Sequence, residues 1–486
     1  MLSEQVRNWI GGAEVPARAG ETFAKVSPHD GRTIAHVARS RSEDVAAAVD
    51  AAKSAYPAWS SMPPVQRGDI LFRVAFALRA QREEVARVVA LETGKSLANA
   101  LGETDGAIAL ALFMAGEGQR LYGRTTTSGT PNKYAMTVRQ PLGVAGLIIA
   151  ANTPIANVAW KVFPALVCGN TAVLKAAEDT PATAWIFARI AAEAGLPAGV
   201  LNVVHGFGEE AGAPLVAHPD VAVISFTGST AVGREIAVVA GRRLARVSLE
   251  LGGKNPLIVC HDADLEQAVK WSLLSAFSNA GQRCASGSRL IVFDAVYDRF
   301  RDLLVERASK LRVGPADDDD FGPVINEEQL ACMLAAVDAA AARGAKVLCG
   351  GTRLTGPAHA SGFYLAPTLI ENVTGDDDLS RTELFGPISC LYRVRDFDEA
   401  LALANDSPYG LTACIHTASV HRALEFTRRI QAGVAIVNAG TFGSEPHMPF
   451  GGVKQSGNGS REPGTEALDI YSNLKDVYMS VFPDQL

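Results

Sequence analysis

Between residues 40 and 95 the apolar positions of "SRSEDVAAAVDAAKSAYPAW" and "ILFRVAFALRAQREEVARVVALETGK" recur three and four apart, the spacing of amphipathic helices. Ser40 and Glu43 stand at the spacing of a capping box, so the pattern predicts a helical lead-in. From about residue 144 the texture changes. Short, wholly apolar runs ("VAGLIIA", "TAVLKA", "VLNVV", "VAVISFTG") alternate with helical-period segments such as "PATAWIFARIAAEAG" and "STAVGREIAVVAG". Strands apolar on both faces and separated by helices predict a parallel sheet covered on both sides. A second series begins at "NPLIVC" (255–260) and runs through "SRLIVF", "RVRDFDEALALAND" and "GVAIVN". It predicts a second α/β domain, with the glycines of "SLELGGKNP" at the boundary. The Thr-rich stretch 123–143 and the tail "ALDIYSNLKDVYMSVF" (467–482) predict protruding β-ribbons, a type of strand that often pairs across subunits.

Composition narrows the function classes. At 486 residues, 48% hydrophobic and 20% charged, the chain predicts two or three well-filled domains. A net charge of −7 gives no basic field for nucleic acid. The N-terminus lacks the apolar core of a signal peptide, and no apolar run reaches the roughly 20 residues of a membrane span, so a cytoplasmic protein with no membrane partner is expected. Seven cysteines form no CxxC pair and nine histidines show no HExxH spacing, so neither a disulfide framework nor a metal site is expected. The runs "ADDDD" and "GDDD" read as solvated turns.

Open parallel sheets bind ligands beyond the carboxyl ends of their strands, and the residues there carry chemistry. Asn152 and Thr153 follow "VAGLIIAA", Lys175 and Glu178 surround the end of "TAVLKA", and Ser229 lies in the "TGST" turn after "VAVISF". That turn opens a helix whose free N–H groups suit a pyrophosphate. A carboxylate at Glu178 can accept from both ribose hydroxyls and repel a 2′-phosphate, which favours NAD over NADP while leaving NADP possible. "GFGEEAG" (206–212) has the wrong spacing for a dinucleotide fingerprint, and two glutamates at its helix start would repel phosphate, so it reads as structural. In "NAGQRCASGSR" (279–289), Cys284 follows Arg283 and precedes three small residues. A lone cysteine is usually core, but an arginine and small neighbours allow thiolate character and close approach. With Glu250 ending the strand of "SLELGGKNP", a thiol, an amide donor and a carboxylate are present, the parts needed to oxidise an aldehyde through a thioester.

The motifs "GNTAVLKAAEDTP", "FTGSTAVG", "LELGGKNP", "NAGQRC", "ELFGP", "NDSPYGL" and "PFGGVKQSG" follow one another in the order found in the NAD(P)-dependent aldehyde dehydrogenase superfamily, which the chain resembles over essentially its whole length. The resemblance implies a Rossmann-like cofactor domain at 1–121 and 142–252, an α/β catalytic domain at 253–466 and an oligomerisation element at 122–141 and 467–486. It implies Cys284 as nucleophile, Asn152 as oxyanion donor together with the Cys284 N–H, and Glu250 as general base. Lys175 and Glu178 would contact the adenosine ribose, Ser229 the pyrophosphate, and Glu383 and Phe385 the nicotinamide riboside. A homodimer or homotetramer acting on a small aldehyde with NAD is expected. Glu250 argues against a CoA-acylating variant, and the presence of all three catalytic residues argues against a non-catalytic one.

The chain departs from the family in several places. Ala150-Ala151-Asn152 replaces Pro-Trp-Asn, Thr153 replaces an aromatic, Ala176 replaces a proline, and "GNGSREPG" is one residue longer. Related succinic semialdehyde dehydrogenases commonly place an arginine where this chain has Trp160. Trp160, Thr153 and Phe450 therefore predict an apolar tunnel for a neutral aliphatic or aromatic aldehyde. Arg283 keeps an oxo-acid semialdehyde as the alternative. A salt bridge behind the nucleophile is its expected role.

Overall fold

The computed structural model describes residues 4–359 and 361–483. Its first large sheet has the spatial order Arg246–Glu250, Val221–Thr227, Val144–Ile148, Thr171–Lys175, Leu201–Val204, Asn8–Ile10, Ala13–Val15. The first five strands are parallel and the last two join antiparallel. Alternate residues of its strands serve opposite cores: Ala145, Leu147, Ala172 and Leu174 face one cluster, Val144, Ile148 and Val173 the other. This two-sided burial is why the runs are apolar throughout. Each fully buried Val, Leu or Ile contributes about 1.5–3 kcal/mol, so a charge at Val173 would break the layer.

The second sheet runs Lys346–Cys349, Thr368–Glu371, Ile388–Val394, Gly287–Phe293, Asn255–Val259, Thr412–His416, Val434–Val437. It is parallel except at its first pair. The chain passes from the first sheet to the second at Glu250–Asn255, through the glycines of "ELGGKN". A third sheet pairs Ser472–Ser480 antiparallel with Lys133–Pro141, register Ser472↔Pro141 to Ser480↔Lys133, and adds Thr125–Thr127 on the other side. Among the described residues no helix is long and apolar enough to cross a membrane.

The structure corrects three expectations. The helix Ser42–Ser61 starts one residue later than the Ser40/Glu43 box implies. Asp44 closes its first turn by accepting from the Arg41 and Arg18 N–H groups, while the Ser40 hydroxyl donates to Asn8. The tail is a strand only from Ser472: Ala467–Tyr471 is a helical turn, because Ala467, Leu468, Ile470 and Tyr471 are all buried against the first core. The lead-in is preceded by short strands, including Thr22–Val26 and Thr33–Ala38, that the hydropathy pattern did not indicate. Residues 1–3, 360 and 484–486 of the expected parts lie outside the described residues.

Candidate active site

Asn152, Lys175, Ser229 and Glu250 stand at or just beyond the carboxyl ends of four adjacent strands of the first sheet. The Cys284 loop leads into Gly287–Phe293 of the second sheet. Its entry is a tight turn in which Asn279, Ala280 and Gly281 take φ of 57, 54 and 66°. At Gly281 a side chain would collide with the Gly386 carbonyl, so glycine is required there on space as well as conformation. The Gln282 side chain pins the loop by donating to the Asn279 and Pro323 carbonyls (both 3.3 Å) and accepting from the Ile325 N–H at 2.8 Å. Asn255 donates to the Cys284 and Ser286 carbonyls (2.7 and 2.9 Å) and accepts from Thr412 N–H at 3.0 Å. Asn152 Nδ2 donates to the Gln282 carbonyl at 3.0 Å, which ties the amide to the cysteine loop. A Cβ on Gly253 would lie 2.5 Å from the Cys284 carbonyl.

Cys284 is half-buried and, with Trp160, Val434 and Phe442, packs against the buried cluster of Ala285, Leu411 and Phe450. Burial, then the carboxylates of Glu383 and Glu250, push its thiol up to about 12, while the N–H groups of Ala285 and Cys284 pull the other way. The neighbouring arginine is not what governs this thiol, contrary to the sequence argument. Burial and the two carboxylates therefore disfavour the thiolate at this position.

Glu250 is 5% exposed, and neither carboxylate oxygen has a hydrogen-bond partner. Burial and then the nearby Glu462 raise its pKa well above the usual carboxylate range, against Lys161 and Arg461. A Cβ on Gly451 would sit 2.8 Å from Glu250 Oε1, so the glycines of "PFGGVKQSG" leave room for this carboxylate. Lys161 and Glu462 form a completely buried ion pair at 3.0 Å. Ser225 and Ser248 donate to Glu462 Oε1 at 2.6 and 3.0 Å, and Ser225 also accepts from Lys161 at 2.6 Å. Glu383 accepts from the Gly253 N–H at 3.0 Å, and a Cβ on Gly252 would collide with its carboxylate. Burial raises Glu383 to about 7. Phe385, with φ of 56°, stands two residues on.

Lys175 is buried and donates to the half-exposed Glu178 at 2.8 Å. Ser229 caps the helix Thr230–Gly241 by accepting from Val232 N–H at 3.4 Å. These features suit a dinucleotide: a half-exposed carboxylate beside a buried ammonium for a ribose, then a three-turn helix start for phosphates. "GFGEEAG" is engaged structurally, since Glu210 is held by Arg39 at 2.6 and 2.8 Å. Among the described residues no group of three His, Cys, Asp or Glu side chains could hold a metal ion.

Of the residues expected to line a tunnel, Trp160 and Phe450 meet edge to face at 5.4 Å between centroids. Thr153 Oγ1 accepts from Asn157 at 3.1 Å. The Arg283 guanidinium lies over the Phe442 ring at 4.6 Å. The expected salt bridge is not formed: among the described residues no carboxylate is within ion-pair distance of it. The carboxylate with the strongest pull on it, Glu103, is already bound by Lys95 at 2.6 Å.

Sequence reasoning missed Lys161, Glu462, Asn279, Gln282 and Asn255. Only Lys161 carried a legible signal, as the one charge in the apolar helix "PIANVAWKVFPALV".

The two sheets, the strand-end residues and the tethered cysteine loop define a dehydrogenase-like α/β enzyme. The model of the aldehyde dehydrogenase family matches residues 15–477, and the chain belongs to that family. It is 39% identical over 475 residues to the alpha-ketoglutaric semialdehyde dehydrogenase of Bacillus subtilis, covering 97% of each chain. It is 40% identical over 478 residues to the hydroxyisobutyraldehyde dehydrogenase of Mycolicibacterium austroafricanum, covering 98% of this chain and 94% of that one. Among solved structures, a betaine aldehyde dehydrogenase from Staphylococcus aureus with NAD+ and a BME-modified cysteine superposes with a TM-score of 0.96 at 32% identity, covering 99% of this chain and 98% of the other. The expected fold, family and aldehyde-oxidising class hold.

Proposed function

We propose that the protein oxidises an aldehyde bearing a distal carboxylate, using NAD and water, to the corresponding carboxylic acid. One observation carries the chemistry: the thiol of Cys284 lies under the influence of a buried, unpartnered carboxylate, Glu250, on a loop tied to the amide of Asn152. The Cys284 thiol gives its proton to solvent water, and the sulfur adds to the carbonyl carbon. The resulting oxyanion is held by Asn152 Nδ2 and the Cys284 N–H. NAD+, when bound, would supply the hydride acceptor for that carbon and a positive charge that favours the thiolate. Glu178 and Lys175 would hold its adenosine ribose, Ser229 and the following helix its phosphates, and Glu383 and Phe385 its nicotinamide side. Glu250 then takes a proton from water, whose oxygen attacks the thioester carbon, and the carbon–sulfur bond breaks to release the acid. The ribbon of Lys133–Pro141 and Ser472–Ser480, with Tyr134, Leu474 and Tyr478 exposed, supports assembly as a homo-oligomer.

The substrate class rests on Arg283. A half-buried guanidinium stacked on the Phe442 ring and lacking an anion is costly until an anion arrives. A substrate carboxylate would supply it. The apolar pair Trp160 and Phe450 supports a second reading, a neutral aldehyde, with Arg283 resting on Phe442. The test compares kcat/KM for neutral aldehydes and semialdehyde acids of equal length in wild type and Arg283→Met, followed by NADH absorbance. A charge-assisted contact contributes about 1.5–3 kcal/mol, so acids should lose roughly 10- to 100-fold in the variant and neutral aldehydes little. Equal losses for both classes, or neutral aldehydes preferred in wild type, refute the acid reading. Activity remaining in Cys284→Ala refutes the mechanism.

A further inference from the structure

Asn152 is held from behind as well as from the side. Lys95 and Glu103 form a buried ion pair, 4 and 6% exposed, at 2.6 Å. Lys95 Nζ also donates to the carbonyl of Asn152 at 2.8 Å. The other oxygen of Glu103 accepts from the N–H groups of Ile155 and Ala156 at 3.0 and 3.4 Å. The helix Pro154–Val167 begins with a proline, which has no N–H, and Thr153 provides no side-chain cap. Its first free donors are therefore satisfied from a different helix, Leu97–Gly116, by Glu103. The pair thus grips both sides of the short link between strand and helix in which Asn152 sits. Burial lowers the Lys95 pKa while Glu103 opposes the shift, so the ammonium depends on its partner. A buried ion pair of this kind brings little net stability against an apolar replacement, but it fixes the position of a backbone carbonyl.

We infer that Lys95, with Glu103, is a positioning residue that sets the amide of Asn152 against the Cys284 loop. The inference rests on the reading of Asn152 as oxyanion donor. Its physical basis is that a donor displaced by about 1 Å can cost up to roughly 100-fold in rate. Asn279 Nδ2 also reaches the Asn152 carbonyl, at 3.4 Å, but this longer contact is the weaker hold.

The test is a double-mutant cycle on the single-turnover rate of NADH formation in the full-length enzyme: wild type, Lys95→Met, Asn152→Ala, and both together. Lys95→Met and Asn152→Ala should each slow the rate by roughly 10- to 100-fold. The double variant should be no slower than Asn152→Ala alone, because Lys95 acts through a group already removed. KM for NAD and the rate of Cys284 alkylation by iodoacetamide should stay within about twofold of wild type. A general structural role would instead make the two losses multiply, and that result overturns the inference while leaving the oxyanion reading intact. A wild-type rate in Lys95→Met overturns it as well. A wild-type rate in Asn152→Ala overturns the oxyanion reading and the inference with it. If Lys95→Met does not fold, Glu103→Gln, which keeps volume and removes the charge, is run through the same cycle with the same criteria.

Discussion

Glu250→Gln separates the two halves of the reaction. In the folded protein both carboxylate oxygens are buried and neither has a hydrogen-bond partner, so the substitution removes no bond and keeps the volume. The folded-state pKa is raised, by burial first and Glu462 second. A carboxylate raised in this way binds its proton more tightly folded than unfolded, so its charged form opposes folding once the pH exceeds the unfolded value. The opposition grows with pH up to the folded pKa, at about 1.36 kcal/mol per unit of difference. Glu250→Gln should therefore melt at the wild-type temperature or above it at pH 8. Catalytically the loss should be large, because a general base contributes about 10²- to 10⁴-fold. Stopped-flow absorbance of NADH should show a first turnover approaching one equivalent per active site, then a steady state slower by roughly that factor. Wild-type steady-state rates should fall as pH drops through the raised Glu250 pKa, and this limb should vanish in the variant. A burst that disappears with the steady state would place Glu250 before hydride transfer alone, and a melting temperature several degrees lower would refute the unpartnered-carboxylate account.

Glu178→Gln should narrow the preference for NAD over NADP, read as the ratio of kcat/KM values, because the carboxylate facing the 2′ position is lost while Lys175 remains; an unchanged ratio removes Glu178 from cofactor choice. Lys161→Met leaves the Glu462 charge buried without its partner and should cost about 3–5 kcal/mol in urea unfolding. Adding Glu462→Gln should recover most of that loss; a single-variant cost under about 1 kcal/mol would contradict the pairing. Removing the Lys161 charge also raises the Glu250 pKa further, so the acid limb of activity should move to higher pH in Lys161→Met.

The parallel sheets were legible because their strands bury both faces, which forces uninterrupted apolar runs such as "TAVLK" and "LIVF". The helix start at Ser42 was misplaced by one residue because Asp44 and Glu43 are equally plausible caps in sequence, and the distant Arg18 N–H favours Asp44. The turn Ala467–Tyr471 was read as strand because alternation over five residues does not distinguish a ribbon from a helical turn buried on every side. Strand ends pointed to Asn152, Lys175, Ser229 and Glu250, since that edge of a parallel sheet is exposed to ligand whatever the side chains are. The hold of Lys95 on a residue 57 positions away, and of Lys161 on Glu462 across 301, was invisible, because long-range pairing of single charges leaves no local pattern. The state of Arg283 was likewise decided only by which partner Glu103 takes.

The central claim is that Cys284 carries the acyl group. Glu250→Gln, mixed with an aldehyde and NAD and quenched in acid after the first turnover, is digested and its peptides weighed. The account predicts that the peptide containing Cys284 gains the mass of the acyl group less one hydrogen, and that hydroxylamine removes the adduct. An unmodified Cys284 peptide after a full equivalent of NADH has formed, or an adduct on another residue such as the exposed Cys332, would contradict it.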